Sequence, residues 1–386
     1  MKKIIVLRAG MGIAFLMLMF TACPSPGGGE LPPGTAIGWI GGGSNGWQTG
    51  DAPASGADYH RFNNTWGVAV DGSGNIYVAE ANNHRISKWN SAGNAVGWIG
   101  GGTNGWQTGN APASGADYQS FNQPYSVYVD GSGNIYVADT NNHRISKWDK
   151  NGDAIGWIGG GSDDWQTGDV PASGADFKSF NCPTDVCVDG LGNIYVADTN
   201  NHRISKWDKD GAAIAWIGGG LNGWQTGNAP VAGGEDLKSF NQPYGVYVDG
   251  SGTVFVADTF NNRISRRDNA GNPLGWIGEG SDDWQGGDGA SSGADYQSFH
   301  LPLDVYVDGS GNIYVAEANN HRISKWDEDG SALGWIGGGT NGWQTGNAPV
   351  AGSDYRSFAN PHSVCVNGSG NIYIADSNHR ISKWKN

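Results

Sequence analysis

Three polar residues recur together along this sequence in a pattern that could bind anions. In one copy they are Asp139, Asn142 and Arg144, and the arginine returns every 58 to 60 residues. A guanidinium beside an amide can bind phosphate or carboxylate through several N–H groups. Alternatively, each arginine bonds the nearby aspartate and carbonyl groups and so fixes a loop. Because every copy carries the set, we favour this structural interpretation. The six arginines are Arg85, Arg144, Arg203, Arg263, Arg322 and Arg380.

A second pattern resembles the start of a calcium-binding loop. It is the acidic run Asp149-Lys150-Asn151-Gly152-Asp153, with a similar run from Asp327 to Gly330. A calcium loop of the helix–loop–helix type also needs a glutamate at its twelfth position and flanking helices, and both are missing here. We therefore predict hairpin turns, with no metal and no other cofactor.

Six tryptophans offer a different chemistry, because the flat face of an indole ring can stack on a sugar. Each lies in a Gly-rich segment such as 105–118 and is followed by glutamine, with threonine next in five of the six copies. Segments of this length need internal packing, so each ring could instead hold its own segment down. We favour packing, and carbohydrate binding stays open. The residues are Trp47, Trp106, Trp165, Trp224, Trp284 and Trp343.

One position varies although its surroundings do not, and it is the best candidate for a binding site. It follows a Phe-x-x-Pro sequence in most copies, and its residues are Trp66, Tyr125, Thr184, Tyr244, Leu303 and His362. The next position holds Gly67, Ser126, Asp185, Gly245, Asp304 and Ser363. Near-identical copies are expected to differ where a ligand without symmetry touches them. The alternative is drift at an exposed rim. Asp185 and Asp304 predict a neutral or cationic ligand.

The elements that position these residues follow from the period, which indicates a repeat architecture. Four short strands, a to d, fit each copy, joined by Gly-rich turns. In the second copy they are 126–129, 134–138, 144–148 and 154–158. Strand b is apolar on both faces and should be buried, whereas strand c alternates and should be partly exposed. The fold class is therefore all-β, a six-bladed β-propeller with four antiparallel strands per blade.

The order of the strands also predicts how the ring closes. Residues 37–40 match strand d, and the chain ends on a strand c at 381–384. The N-terminal strand should therefore complete the last blade, which leaves no large open edge. In such blades the d-to-a and b-to-c connections emerge on one face. We expect the Gly-rich insertions on that face, around a ring of the six variable residues at the channel mouth.

The repeated motif resembles the NHL repeat family. The motif Asp-Gly-x-Gly-Asn-Ile-Tyr-Val-Ala-Asp is followed by Asn-x-His-Arg-Ile, and Asn142, His143 and Ile145 occupy the positions that name the family. All six copies match, although the fourth has Asn262 for histidine and Arg266-Arg267 for Lys-Trp. The family's repeat is shorter, and the excess lies between strands d and a. The resemblance implies a propeller used for binding.

Enzymes also occur among six-bladed propellers of this kind. The resemblance extends to calcium-dependent lactonases and a zinc amidating lyase, which hold a metal in the axial channel. Here Asp185, Asp304 and His362 could approach the axis. Two carboxylates and one imidazole are fewer ligands than such a site needs, and no hydrolase motif is present. We therefore expect no enzymatic activity.

The N-terminus predicts export and a lipid anchor. Lys2, Lys3 and Arg8 precede twelve apolar residues, 9–20, which is the length of a signal segment. The sequence Phe20-Thr21-Ala22-Cys23 resembles a bacterial lipoprotein signal. We predict a signal peptide at 1–23 ending at a lipidated Cys23, a Pro/Gly tether at 24–33 and the propeller at 34–386. The alternative is ordinary signal-peptide cleavage, with Cys23 incidental.

Composition limits the partners. The chain has 386 residues and a net charge of −14, which argues against nucleic acid and against a basic membrane-binding face. Cys182, Cys187 and Cys365 are expected to be unpaired thiols.

We predict a monomer in the cell envelope, facing the periplasm or the cell surface, whose only membrane contact is the anchor. Its predicted function is a non-enzymatic scaffold for a protein or peptide. A multivalent lectin is the alternative, and a metal-dependent lactonase or lyase is least favoured.

Overall fold

The computed structural model describes residues 31–228, 232–280 and 282–386. Within them, 24 strands form six four-stranded antiparallel sheets. The strands are β1 (Ala36–Ile40), β2 (Thr65–Val70), β3 (Ile76–Glu80), β4 (Arg85–Trp89), β5 (Ala95–Ile99), β6 (Pro124–Val129), β7 (Ile135–Asp139), β8 (Arg144–Trp148), β9 (Ala154–Ile158), β10 (Pro183–Val188), β11 (Ile194–Asp198), β12 (Arg203–Trp207), β13 (Ala213–Ile217), β14 (Gly245–Val248), β15 (Val254–Asp258), β16 (Arg263–Arg267), β17 (Pro273–Ile277), β18 (Pro302–Val307), β19 (Ile313–Glu317), β20 (Arg322–Trp326), β21 (Ala332–Ile336), β22 (Pro361–Val366), β23 (Asn371–Asp376) and β24 (Arg380–Lys385). No helix in the described part of the chain is both long enough and apolar enough to cross a membrane.

The six sheets are the blades of a propeller, as the repeat period predicts. Five blades take four consecutive strands each, from β2–β5 to β18–β21. The sixth has the order β1-β24-β23-β22, so its outer strand comes from the other end of the described chain. Ile40 pairs with Ile381 and Trp39 with Ser382 in an antiparallel register. The predicted closure by the N-terminal strand is therefore confirmed.

Turn chemistry fixes the hairpins within each blade. In the second blade, Asp130 Oδ1 accepts hydrogen bonds from the backbone N–H groups of Ser132 (2.8 Å) and Asn134 (2.9 Å). The run that resembles a calcium loop does the same, since Asp149 accepts from the N–H groups of Asn151 and Asp153. This run is a hairpin turn between β8 and β9. Between β7 and β8 the predicted loop forms one turn of 3₁₀ helix, Thr140–Asn142.

The hydrophobic core lies between neighbouring blades. One cluster joins Tyr136 and Ile145 of the second blade to Val186, Val196 and Trp207 of the third. Strand b is buried along its whole length, as predicted. The expectation that strand c is partly exposed is wrong, because four of the five residues of β8 are buried and Lys147 is half-buried. Neighbouring blades cover its apolar side chains, and an insertion tryptophan covers the lysine.

The expectation that the Gly-rich insertions lie on one face of the propeller is wrong, because the insertion runs between both faces. Gln107 pairs with Trp98, so the insertion turns back along the outer strand β5. The N–H of Gly105 then donates to the carbonyl of Gly152, in the c-to-d turn of the next blade on the opposite face. Only the second half of the insertion returns to the b-to-c loops. An extended segment follows this path because the free edge of strand d offers partners for its backbone.

Candidate functional site

The repeated aspartate, asparagine and arginine form a buried network. Arg144 Nε donates to Asp139 Oδ2 at 2.8 Å, and both side chains are fully buried. Asn142 donates to the same carboxylate at 2.8 Å. The arginine's Nη2 donates to the carbonyls of Asp117 (2.8 Å) and Ser120 (2.6 Å) in the insertion. These contacts tie the b-to-c loop to the insertion, as the structural interpretation predicts.

The insertion tryptophans are used in packing. Lys88 Nζ lies 5.0 Å from the centre of the Trp106 ring, and the Tyr77 ring lies 6.0 Å away at a tilt. The indole N–H donates to the carbonyl of Lys150 at 3.2 Å. The same donation to a turn carbonyl is made by Trp47, Trp106, Trp165, Trp224 and Trp284. These contacts engage the ring and its only hydrogen-bond donor.

The structure brings the six variable residues together at one end of the axial channel. They begin the innermost strands and surround a free space of about 20 Å³, which holds about one water molecule. We call this set the mouth ring: Trp66, Tyr125, Thr184, Tyr244, Leu303 and His362. The sequence column therefore corresponds to a single continuous surface.

Three members of the mouth ring form a stack. The ring of Trp66 lies between Tyr125, with centroids 4.1 Å apart, and His362, at 4.2 Å, and the planes are within 9° of parallel. His362 Nδ1 lies 2.8 Å from the carbonyl of Thr65, so that nitrogen carries the proton. Burial lowers the pKa of His362 to about 4, which leaves the imidazole neutral at physiological pH. The three rings thus form a preformed wall, in which both faces of Trp66 are covered by its two neighbours.

Two residues predicted to contact a ligand, Thr184 and His362, instead form hydrogen bonds between neighbouring blades. Thr184 Oγ1 donates to the carbonyl of Tyr244 in the next blade at 2.7 Å, and it is buried. His362 links the last blade to the first in the same way. The side chains of Trp66, Tyr125, Tyr244 and Leu303 are half-buried and make up the accessible part of the mouth ring.

Two carboxyl groups lie at a constriction below the mouth ring. Asp185 Oδ1 accepts from Ser126 Oγ (2.5 Å) and from the N–H of Val186 (2.8 Å), and its Oδ2 accepts from the N–H of Val246 (2.7 Å). Asp304 accepts from the N–H groups of Val305 (2.8 Å) and Val364 (2.9 Å). Each carboxyl group therefore joins its own blade to the next.

The two carboxyl groups influence each other's ionisation. Gly245 lies between them, and a Cβ on it would be 3.2 Å from Asp304 Oδ1. Burial first, and then the charge of Asp304, raises the pKa of Asp185, and burial raises the pKa of Asp304. The pair therefore carries less negative charge near neutral pH than the sequence suggests. In the described residues, no group of three or more His, Cys, Asp or Glu side chains is placed to hold a metal ion.

A second variable column also lines the channel, and it was not among the predicted site residues. It lies two residues beyond the aspartate column, so the alternation of strand a points it to the axis as well. Its residues are Ala69, Tyr128, Cys187, Tyr247, Tyr306 and Cys365. This column also varies between near-identical copies, which is the sequence feature that identifies the mouth ring. Cys182, Cys187 and Cys365 are free, as predicted, although Cys182 is only half-buried.

Comparison with known families agrees with the motif. The NHL repeat profile matches residues 62–89, 121–148, 180–207, 299–326 and 358–384. The chain is an NHL-repeat protein. The fourth blade is not matched, yet its strands pair as in the other blades.

In the fourth blade, Asn262 replaces the family's histidine and accepts the same hydrogen bond from the next blade. His143 has a left-handed backbone (φ +52°), and its Nδ1 accepts from the N–H of Cys182 at 3.1 Å. Asn262 has φ +48°, and its Oδ1 accepts from the N–H of Leu301 at 3.1 Å. Asparagine tolerates this backbone conformation well and supplies the same acceptor. The substitution therefore preserves the link between blades.

The relatives are diverse. NHL repeat-containing protein 3 from Homo sapiens is 28% identical over 247 residues, covering 63% of this chain and 58% of that protein. Protein SUPPRESSOR OF QUENCHING 1 from Arabidopsis thaliana is 25% identical over 278 residues, covering 69% of this chain and 25% of that protein. The chain thus spans a quarter to about three fifths of the length of these two relatives.

Solved structures share the fold at low identity. Virginiamycin B lyase from Staphylococcus aureus superposes with a TM-score of 0.52 at 13% identity, covering 86% of this chain and 97% of that one. A gluconolactonase from Xanthomonas campestris gives a TM-score of 0.51 at 13% identity, covering 90% and 98%. At this identity the similarity concerns the fold alone.

Proposed function

We propose that this NHL-repeat propeller is a non-enzymatic scaffold that binds a protein or peptide at the mouth ring. One observation carries the proposal. The groups at the axis that could do chemistry, Asp185, Asp304 and His362, are engaged in bonds between blades. What stays accessible in the mouth ring itself is an asymmetric set of aromatic and aliphatic side chains. Such residues at a concave centre are the usual anchors of an interface.

Two alternatives from other classes carry less support. Related folds include a lyase and a gluconolactonase, but here the described residues offer no third side chain that could hold a metal ion beside the two axial carboxyl groups. A multivalent lectin would use the insertion tryptophans, whose rings already pack against lysine and tyrosine. A glycan array separates the lectin from the scaffold. Signal that is lost in both Trp106→Ala and Trp165→Ala would favour the lectin.

Truncating two mouth-ring tyrosines is expected to weaken partner binding about a hundredfold or more. Each buried aromatic anchor contributes ~2 kcal/mol. The partner is captured from the envelope fraction of the source cells, and its affinity for the Tyr125→Ala, Tyr244→Ala double variant is then measured by biolayer interferometry.

The control is Trp224→Ala, in an insertion far from the axis, and both variants must first melt like the unmodified chain. Full affinity in the tyrosine variant, combined with a loss in Trp224→Ala, would place recognition on the outer insertions and refute the proposal.

We also propose that the protein is anchored in the cell envelope through a lipid on Cys23. Residues 1–30 lie outside the described residues, so this proposal rests on the sequence motif alone. A ten-residue tether at 24–33 would reach roughly 30 Å from the lipid. Metabolic labelling with a fatty acid should mark the unmodified chain and Cys182→Ala equally. Cys23→Ala should carry no label and should leave the membrane fraction; a labelled Cys23→Ala protein would exclude this anchor.

A further inference from the structure

Below the constriction, the axial channel widens into a chamber of about 200 Å³. Ser126, Asp185, Asp304 and Ser363 line both this space and the mouth ring, so they separate the two. The second variable column lines the chamber together with the half-buried Val70 and Val129. The chamber therefore has both polar and apolar walls, with carboxyl groups at one end.

The walls of the chamber are asymmetric. Tyrosines occupy the second, fourth and fifth blades, whereas Ala69, Cys187 and Cys365 leave room in the first, third and sixth. Tyr247 and Tyr306 are in ring contact, with centroids 4.9 Å apart. The hydroxyl of Tyr128 donates to the carbonyl of Val188 at 2.9 Å. The tyrosines are thus held in place, and Ala69, the smallest side chain of the column, leaves the most room at the first blade.

The carboxyl groups have spare capacity to accept hydrogen bonds. Each carboxylate oxygen can accept about two. Asp185 Oδ2 accepts one described bond, from Val246, and Asp304 Oδ1 accepts one, from Val305. No lysine or arginine is among the described residues that line the chamber.

We propose that the chamber binds a small organic ammonium ion, with its apolar part among the three tyrosines and its ammonium group against Asp185 and Asp304. An ammonium group has only donors, which match carboxylate oxygens, and it is attracted to aromatic faces. A carboxylate ligand would be repelled, and a neutral apolar ligand would leave the unused acceptor positions of the carboxyl groups without a donor. This site is distinct from the protein-binding mouth ring proposed above and does not depend on it.

Calorimetric titration of the full chain tests the charge preference. The probes are methylammonium, n-butylammonium and benzylammonium, with benzyl alcohol and benzoate as matched neutral and anionic controls. Benzylammonium or n-butylammonium is expected to bind at least about tenfold more tightly than benzyl alcohol, because a hydrogen bond to a charged group has this effect. Benzoate should not bind. Failure of all three ammonium ions to bind, or equal binding of benzyl alcohol, would overturn the proposal.

Two substitutions locate the site. Ala69→Tyr gives the first blade the side chain that three other blades carry at this position, and it should fill the chamber and weaken binding about tenfold or more. Val96→Tyr adds a tyrosine to the exposed outer strand and should change nothing. Asp304→Asn keeps the shape but removes one charge, and it should also weaken binding about tenfold. Unchanged affinity in Ala69→Tyr, or in a folded Asp304→Asn variant, would contradict the chamber as the site.

Discussion

Deleting residues 34–41 is expected to lower the free energy of unfolding by roughly 5 kcal/mol or more. The deletion removes β1, whose Ile40 is fully buried and whose Trp39 is nearly so. It also breaks the backbone bonds from the N–H of Gly34 to Lys385 and from the N–H of Lys385 to Thr35. The last blade would be left with an exposed edge at β24. Urea denaturation followed by tryptophan fluorescence measures the change.

A synthetic peptide of residues 34–41 provides the control for this deletion. If β1 acts by pairing with β24, the added peptide should restore part of the lost stability in a concentration-dependent way. A scrambled peptide of the same composition should not. A truncated chain that unfolds at the same urea concentration as the full chain would show that the ring does not depend on this strand.

Removing one carboxylate from a buried ion pair is expected to have the second-largest effect. Asp139→Ala should cost about 3–5 kcal/mol, because it leaves the fully buried Arg144 without its counter-charge. It also removes the acceptor for the N–H of Asn122 and for the side chain of Asn142. Thermal or urea unfolding of the variant measures the loss.

The chain supplies its own control for this substitution. The first and fifth blades carry Glu80 and Glu317 at the equivalent position, and each bonds its arginine at 2.8 Å. Asp139→Glu should therefore cost about 1 kcal/mol or less, since the ion pair can re-form with small adjustments. Equal losses in Asp139→Ala and Asp139→Glu would mean that packing around the side chain, and not the ion pair, sets the cost.

The parts of the fold that were predictable from sequence depend on local rules. Strands β8 and β9 begin and end where the pattern predicts, because apolar runs and turn residues such as Asp149 define them within a few positions. The closure was predictable because the repeats leave an unpaired strand at each end. The role of Arg144 was predictable because its partner Asp139 lies only five residues away.

The remaining features depend on contacts between distant residues. The path of the insertion is set by its pairing with strand d and by Trp106 reaching Lys150, 44 residues away. His362 bonds Thr65 across 297 residues, so its use in joining blades was not visible in the sequence. The tyrosine and cysteine column was not proposed as a site because its residue types are common in a core. Only the closed ring shows the chamber that it lines.

Photocrosslinking in intact cells tests the scaffold proposal most directly. A photoreactive phenylalanine analogue is placed at Leu303 in the mouth ring, at Leu221 in an insertion, or at Leu191 in an a-to-b turn on the other face; the latter two are 55% and 83% exposed. We expect a crosslinked partner from position 303 and none from positions 221 or 191. Crosslinks from position 221 or 191 without one from 303 would refute binding at the mouth ring.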